Sequence, residues 1–170
     1  MAQDTTTTFD PRRVVREAIR RPPAQILGGL DEKAADAAVD AIIDELGIAP
    51  ELVERFPHQL SGGQRQRLSI ARALVVGPDI LVCDEAVSAL DVSAQAVVLN
   101  LLKGYVKTHS LGLVFISHGL PATAFITDDL LVMNRGKVVE SGETMAILDA
   151  PSNDYTQTLI GAYQAMEAAA

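Results

Sequence analysis

The chain has 170 residues, 48% hydrophobic and 21% charged, which suffices for one sizeable buried core. A net charge of −8 disfavours general attraction to nucleic acid or anionic lipid. The single cysteine, Cys83, excludes an internal disulfide and a cysteine metal cluster within these residues. No apolar run approaches the ~18–20 residues that cross a bilayer. The polar start, Met-Ala-Gln-Asp followed by four threonines, lacks the basic and apolar segments of a secretory signal. The expected location is therefore the cytoplasm.

In chain order, Asp10-Pro11 pairs a capping residue with a proline suited to the first helical position, so a helix is expected to start there. Val14, Val15, Ala18 and Ile19 give it an apolar stripe, and Pro22-Pro23 is expected to stop it. Gly28-Gly29 is a second break. From Asp31 a helical pattern returns, with Ala35, Ala38, Val39, Ile42 and Leu46 on one face and Gly47 placed for a left-handed end. A short helix is expected over 51–55. After Ser61 a further helix carries Leu68, Ala71, Leu74 and Val75 inward and stops at Gly77-Pro78.

The pattern then changes. Ile80 to Cys83 is short and continuously apolar, as is Leu113 to Ile116; both read as strands of a parallel sheet covered on both faces, with a helix over about 93–107 between them. Helices between such strands imply parallel crossovers. A short helix is expected over 120–126. Leu130–Met133 and Lys137–Glu140 flank Asn134-Arg135-Gly136, a hairpin signal with a positive φ expected at Gly136. Helices over 144–148 and 155–166 close an α/β chain.

Four polar positions fall on this framework. Ser61-Gly62-Gly63-Gln64 opens a helix with a hydroxyl cap and unobstructed backbone amides, an arrangement that binds anions. Asp84 and Glu85 end a buried strand, where two carboxylates are costly unless a cation or hydrogen bonds meet them. Open α/β sheets bind ligands at that end. Asp84 can face a hydrated magnesium ion and Glu85 an attacking water, or both can cap the following turn. Asp91 can cap the next helix or communicate across a dimer. His118 follows the second strand and can contact phosphate or remain a solvated loop residue. Arg65 and Arg67 read either as solvated charges or as groups holding a phosphate or a partner's acid.

This order of motifs resembles the ATP-binding subunits of ABC transporters, over nearly the whole chain. Leu60 to Gln64 is similar to the signature motif, Ile80 to Glu85 to Walker B, Ser88-Ala89-Leu90-Asp91 to the D-loop and His118 to the switch histidine. Gln3-Asp4 with Phe9-Asp10-Pro11-Arg12 looks like a Q-loop entering a helical subdomain, as in the peptide and nickel importer branch. Pro57-His58-Gln59 and Tyr155-Thr156-Gln157-Thr158-Leu159 resemble that branch as well.

The resemblance implies a partial P-loop NTPase fold: a Q-loop-like start (1–10), a helical subdomain (11–76), a RecA-like core remnant (77–141) and C-terminal helices (142–170). The core would be a mostly parallel sheet lacking its N-terminal strands. The resemblance further implies ATP and Mg2+, with Asp84 and Gln3 on the metal side, Glu85 activating water, His118 on the γ-phosphate, and Asp91 with Ser61, Gly62, Gly63 and Gln64 serving a head-to-tail dimer. The signature residues would act on ATP held by the opposite subunit. Membrane-spanning permease subunits would hold the chain at the inner face of the cell membrane.

Ala86 and Gly119 depart from the family pattern, which has Pro and an acid at these places. No Gly-x-x-x-x-Gly-Lys-Ser/Thr occurs, and none of Lys33, Lys103, Lys107 or Lys137 sits in that frame. The expectation is a C-terminal portion of an importer ATPase, through a gene fragment or a misplaced start, that hydrolyses ATP poorly alone. The alternatives are a noncatalytic module lending its signature motif to an intact ATPase, and a soluble ABC protein unconnected with transport.

Overall fold

The computed structural model describes residues 9–26 and 31–168. Gln3, Asp4 and the Gly28-Gly29 break lie outside the described residues. The chain divides into two compact units, the first ending at Ile116 and the second starting at Ser117.

The first unit opens with helix α1 (Val15–Ile26), which begins later and ends later than expected. Asp10 caps a turn instead of a helix: its Oδ1 accepts from the Arg12 amide at 3.0 Å. The helix starts where tertiary partners become available, since the Val15 amide donates to the Arg55 carbonyl at 3.0 Å and the Arg16 amide to the Val53 carbonyl at 2.8 Å. These bonds satisfy two of the amides that a helix start leaves without partners. Pro22 and Pro23 lie inside the helix. Proline removes a helix hydrogen bond, so its tolerance here comes from packing: Pro23 is buried and α1 lies against its helical neighbours.

Helix α2 (Glu32–Glu45) follows its sequence pattern. Asp31 caps it through a 2.7 Å bond from the Ala34 amide, and Gly47 takes the left-handed φ of +59° that ends it. Ala35, Val39, Ile42 and Leu46 are buried. Where a short helix was expected over 51–55, Pro50–Leu52 forms one 3-10 turn. Helix α3 (Gly62–Leu74) buries Leu68, Ile70, Ala71 and Leu74, whereas Val75 is only half-buried. With Val15, Ile19, Val39 and Val53 these side chains form the helical core. Each large one contributes about 1.5–3 kcal/mol on burial.

Strand β1 (Ile80–Asp84) and strand β2 (Gly112–Ile116) pair in parallel, joined through helix α4 (Val92–His109). The parallel pairing matches the sequence; the burial does not. Leu81 and Cys83 are buried, while Ile80, Val82, Val114 and Ile116 are 65%, 45%, 48% and 49% exposed. The described residues cover one face of this strand pair and leave the other to solvent. Continuous apolarity in the sequence therefore becomes an alternating burial pattern in the structure.

The second unit holds helix α5 (Leu120–Ile126), strands β3 (Asp129–Asn134) and β4 (Lys137–Glu143), and helices α6 (Thr144–Asp149) and α7 (Asp154–Ala168). The strands form an antiparallel hairpin. Its connection is tighter than expected: Asn134 pairs with Lys137, leaving Arg135 and Gly136 as the turn, with φ of 49° and 77°. Two successive positive φ values suit the twist of a two-residue hairpin. The register shifts between Val132 and Met133, and Val132, Ile147 and Ile160 are buried.

Beyond the hairpin, Glu140 clamps the approach to α7. Its carboxylate accepts from the Ser152 amide and hydroxyl, both at 2.7 Å, and from the Asn153 amide at 3.3 Å. The Thr156 hydroxyl, followed by the Ser152 groups, holds the Glu140 carboxyl down at a pKa of about 2.

Candidate functional site

The signature-like turn is built locally. The sequence Ser61-x-x-Gln64 forms a reciprocal capping box: the Gln64 amide donates to Ser61 Oγ at 3.2 Å and the Ser61 amide to Gln64 Oε1 at 2.9 Å. That uses the third amide of α3 and leaves those of Gly62 and Gly63 pointing out of the helix start without a partner among the described residues. The helix dipole adds positive character at the same place. The turn can therefore receive a phosphate oxygen on bare backbone.

Arg65 supports the turn from behind. Its Nη1 donates to the Leu60 carbonyl at 2.7 Å and, at 3.4 Å, to the Pro57 carbonyl. Neither sequence reading of Arg65 anticipated this, because a long side chain folding back on preceding carbonyls leaves no periodic signal. His58 stacks on Phe56 with ring centroids 5.7 Å apart.

Asp91 caps α4. Its Oδ1 accepts from the Ser93 hydroxyl at 2.6 Å and the Ala94 amide at 2.9 Å, and these bonds, the Ser93 bond foremost, lower its pKa. The structure brings this turn against the signature turn: an ideal Cβ on Gly62 would lie 3.6 Å from Leu90 Cδ2, and one on Gly63 would lie 3.3 Å from Ala94 Cβ. The glycines thus permit close packing as well as an open anion site. That second use required the fold to be seen.

Asp84 ends β1 opposite Ile116 and is exposed. Glu85 leaves the strand in the left-handed region, φ 49°, with its amide donating to the Ile116 carbonyl at 2.8 Å and its carbonyl accepting from the Ser88 hydroxyl at 3.0 Å. A non-glycine residue held there stores strain, a feature concentrated at functional positions. Cys83, one residue before Asp84, is fully buried, and burial pushes its thiol up to about 11. Its role is packing. His118 stands in the second unit, exposed, one residue before the Gly119 cap of α5. His109, in the last turn of α4, stacks on Tyr105 with ring centroids 4.2 Å apart and contacts Glu45.

Known proteins resemble the chain over most of its length. Residues 1–88 match the ABC transporter family. The chain belongs to that family. The oligopeptide transport ATP-binding protein OppF of Haemophilus influenzae is 40% identical over 160 residues, covering 94% of this chain and 48% of OppF. The oligopeptide transport ATP-binding protein AmiF of Streptococcus pneumoniae is 47% identical over 132 residues, 78% of this chain and 43% of AmiF. The dimeric structure of MJ0796, a bacterial ABC transporter cassette, superposes with a TM-score of 0.71 at 22% identity, covering 84% of this chain and 61% of that one. That likeness establishes the ABC cassette fold for the parts matched. The chain spans about half the length of the curated relatives it matches.

Among the described residues no cluster of three or more His, Cys, Asp or Glu gathers that could hold a metal ion. Magnesium retains water and is satisfied by one or two carboxylates plus substrate phosphates; the exposed Asp84 carboxylate at the end of β1 is an oxygen donor of that kind. Among the described residues no helix is long and apolar enough to cross a membrane.

Proposed function

We propose that this chain carries the signature-motif half of an ABC ATPase serving an importer of peptides or similar small solutes. The observation that carries the reading is the Ser61–Gln64 turn, whose capping box holds two successive amides, Gly62 and Gly63, open at a helix start. Backbone amides there favour phosphate oxygens. The turn faces ATP bound by the opposite subunit of a head-to-tail dimer. Asp84 holds the magnesium that accompanies ATP through water, Glu85 orients and deprotonates the hydrolytic water, His118 contacts the γ-phosphate, and Gln3 reports on its presence. The reaction is phosphoryl transfer to water, in which positioning and charge stabilisation contribute most of the acceleration.

OppF and AmiF are oligopeptide transport ATP-binding proteins, which supports the solute class, and the dimeric MJ0796 cassette supports the dimer. Membrane-spanning permease subunits dock on the helical subdomain, residues 11–76, and hold the chain peripherally at the cytoplasmic face. The 170 residues contain no Gly-x-x-x-x-Gly-Lys-Ser/Thr phosphate cradle, so we expect them to turn over ATP poorly by themselves. The Ser61 turn needs no such cradle in its own chain, which favours a second reading as a noncatalytic partner that completes an intact ATPase.

The test measures magnesium-dependent ATP turnover by the verified 170-residue chain, alone and mixed with an intact relative. Negligible turnover alone and stimulation on mixing, lost in Ser61→Arg, are the expected results. Turnover alone comparable to the intact relative would overturn the predicted inactivity. Absence of stimulation would overturn the role in trans.

A further inference from the structure

The packing around Gly63 extends that reading from the turn itself to what sets its position. A Cβ on Gly63 would stand 3.3 Å from Ala94 Cβ, closer than two such carbons normally approach, so only a residue without a side chain lets the turn run this close to α4. Ala94 is itself fixed. Its amide is held by Asp91 Oδ1 at 2.9 Å, Ser93 Oγ donates to the same oxygen at 2.6 Å, and the preceding turn is tied by Gln95 Nε2 donating to the Leu90 carbonyl at 3.0 Å. Leu90 lies against Gly62 from the same side.

We infer that Ala94 is a positioning residue: it is the backstop that sets the two signature amides, and it couples the Asp91 turn to the signature turn within one chain. A displacement of the Asp91 cap moves Ala94, and Ala94 moves Gly63. The next residue, Gln64, registers the shift, because its amide bond to Ser61 Oγ is already long at 3.2 Å. Close-packed contacts transmit small displacements in this way because interiors yield little. The inference rests on the reading that the Ser61–Gln64 turn faces a nucleotide.

The test is a compensation cycle in the full chain, read by amide hydrogen exchange at Gln64. Gly63→Ala is expected to accelerate that exchange on the order of tenfold, the size of effect that overpacking has on a local opening. Adding Ala94→Gly removes the opposing carbon and returns exchange to near the parent rate. Adding Ala96→Gly, an equivalent glycine at an exposed position of the same helix, does not.

In the mixed assay with an intact relative, Gly63→Ala is expected to raise KM for ATP several-fold, and the Gly63→Ala/Ala94→Gly pair to recover it. Unchanged exchange in Gly63→Ala, or equal rescue by Ala96→Gly, overturns the inference. Recovered exchange without recovered KM overturns the positioning role. If the parent chain gives no stimulation at all, the reading of the turn fails, while the exchange cycle still decides whether Ala94 sets its position.

Discussion

The strained backbone at Glu85 gives a prediction whose sign is unusual. Its φ of 49° lies in the left-handed region, where a side-chain-bearing residue costs about 1–2 kcal/mol. Glycine escapes that cost but has a more disordered unfolded state, worth about 0.4–1 kcal/mol against it. Comparing Glu85→Gly with Glu85→Ala isolates the Cβ, since both variants remove every other side-chain contact equally. The three backbone bonds, to the Ile116 carbonyl and from the Ser88 amide and hydroxyl, are open to both.

The glycine variant should therefore be more stable than the alanine variant by about 0.5–1 kcal/mol. At an ordinary position the order is reversed by a similar amount. Urea denaturation of the two variants, followed by circular dichroism, measures the difference directly. An alanine variant equal to or more stable than the glycine variant would refute the claim that strain is stored at the strand exit.

Other outcomes follow from the same geometry. Gly104→Ala, in an exposed part of α4 where an added Cβ meets nothing within 4 Å, should stabilise by about 1 kcal/mol through helix propensity, read as a higher urea midpoint. Ser61→Ala removes the cap of α3 and should cost about 1 kcal/mol in the same assay. Cys83, buried with its thiol raised to about 11, should resist thiol reagents at neutral pH and label only as the chain unfolds; fast native labelling would contradict its burial. Glu140 titrates at about 2, below its unfolded value. Its stabilising effect is thus complete above the ordinary glutamate range and is lost as pH falls from about 4.5 toward 2. Glu140→Gln should flatten that part of the acid unfolding curve, and an NMR titration should place the Glu140 carboxyl low.

Local grammar made the helices around the site legible. Asp31, Ser61 and Asp91 each cap the helix that follows, and Gly47 and Gly77 take the positive φ expected of helix ends, because these signals depend on a few neighbouring residues. The signature turn, the strand-end acids and the hairpin were therefore visible in order along the chain. What failed depended on distant contacts. Pro22-Pro23 promised a stop, yet tertiary packing carries α1 through both prolines. Asp10-Pro11 promised a start, but the first helical amides find their partners at Val53 and Arg55. The two strands looked covered on both faces, although apolar composition does not record which side has a neighbour. The close approach of Gly63 to Ala94 was equally hidden, since 31 positions separate the two residues in the sequence.

The unequal faces of the β1/β2 pair also bear on how this polypeptide behaves in a test tube. Ile80, Val82, Val114 and Ile116 alternate on one side of two paired strands and present a continuous apolar ribbon to water. Such a surface binds hydrophobic dyes, draws chaperones during synthesis and drives association through the apolar face as concentration rises. Yield and monodispersity should therefore track the polarity of these four positions, with a threonine at Val82 or Val114 improving recovery while the buried Leu81 and Cys83 side stays intact.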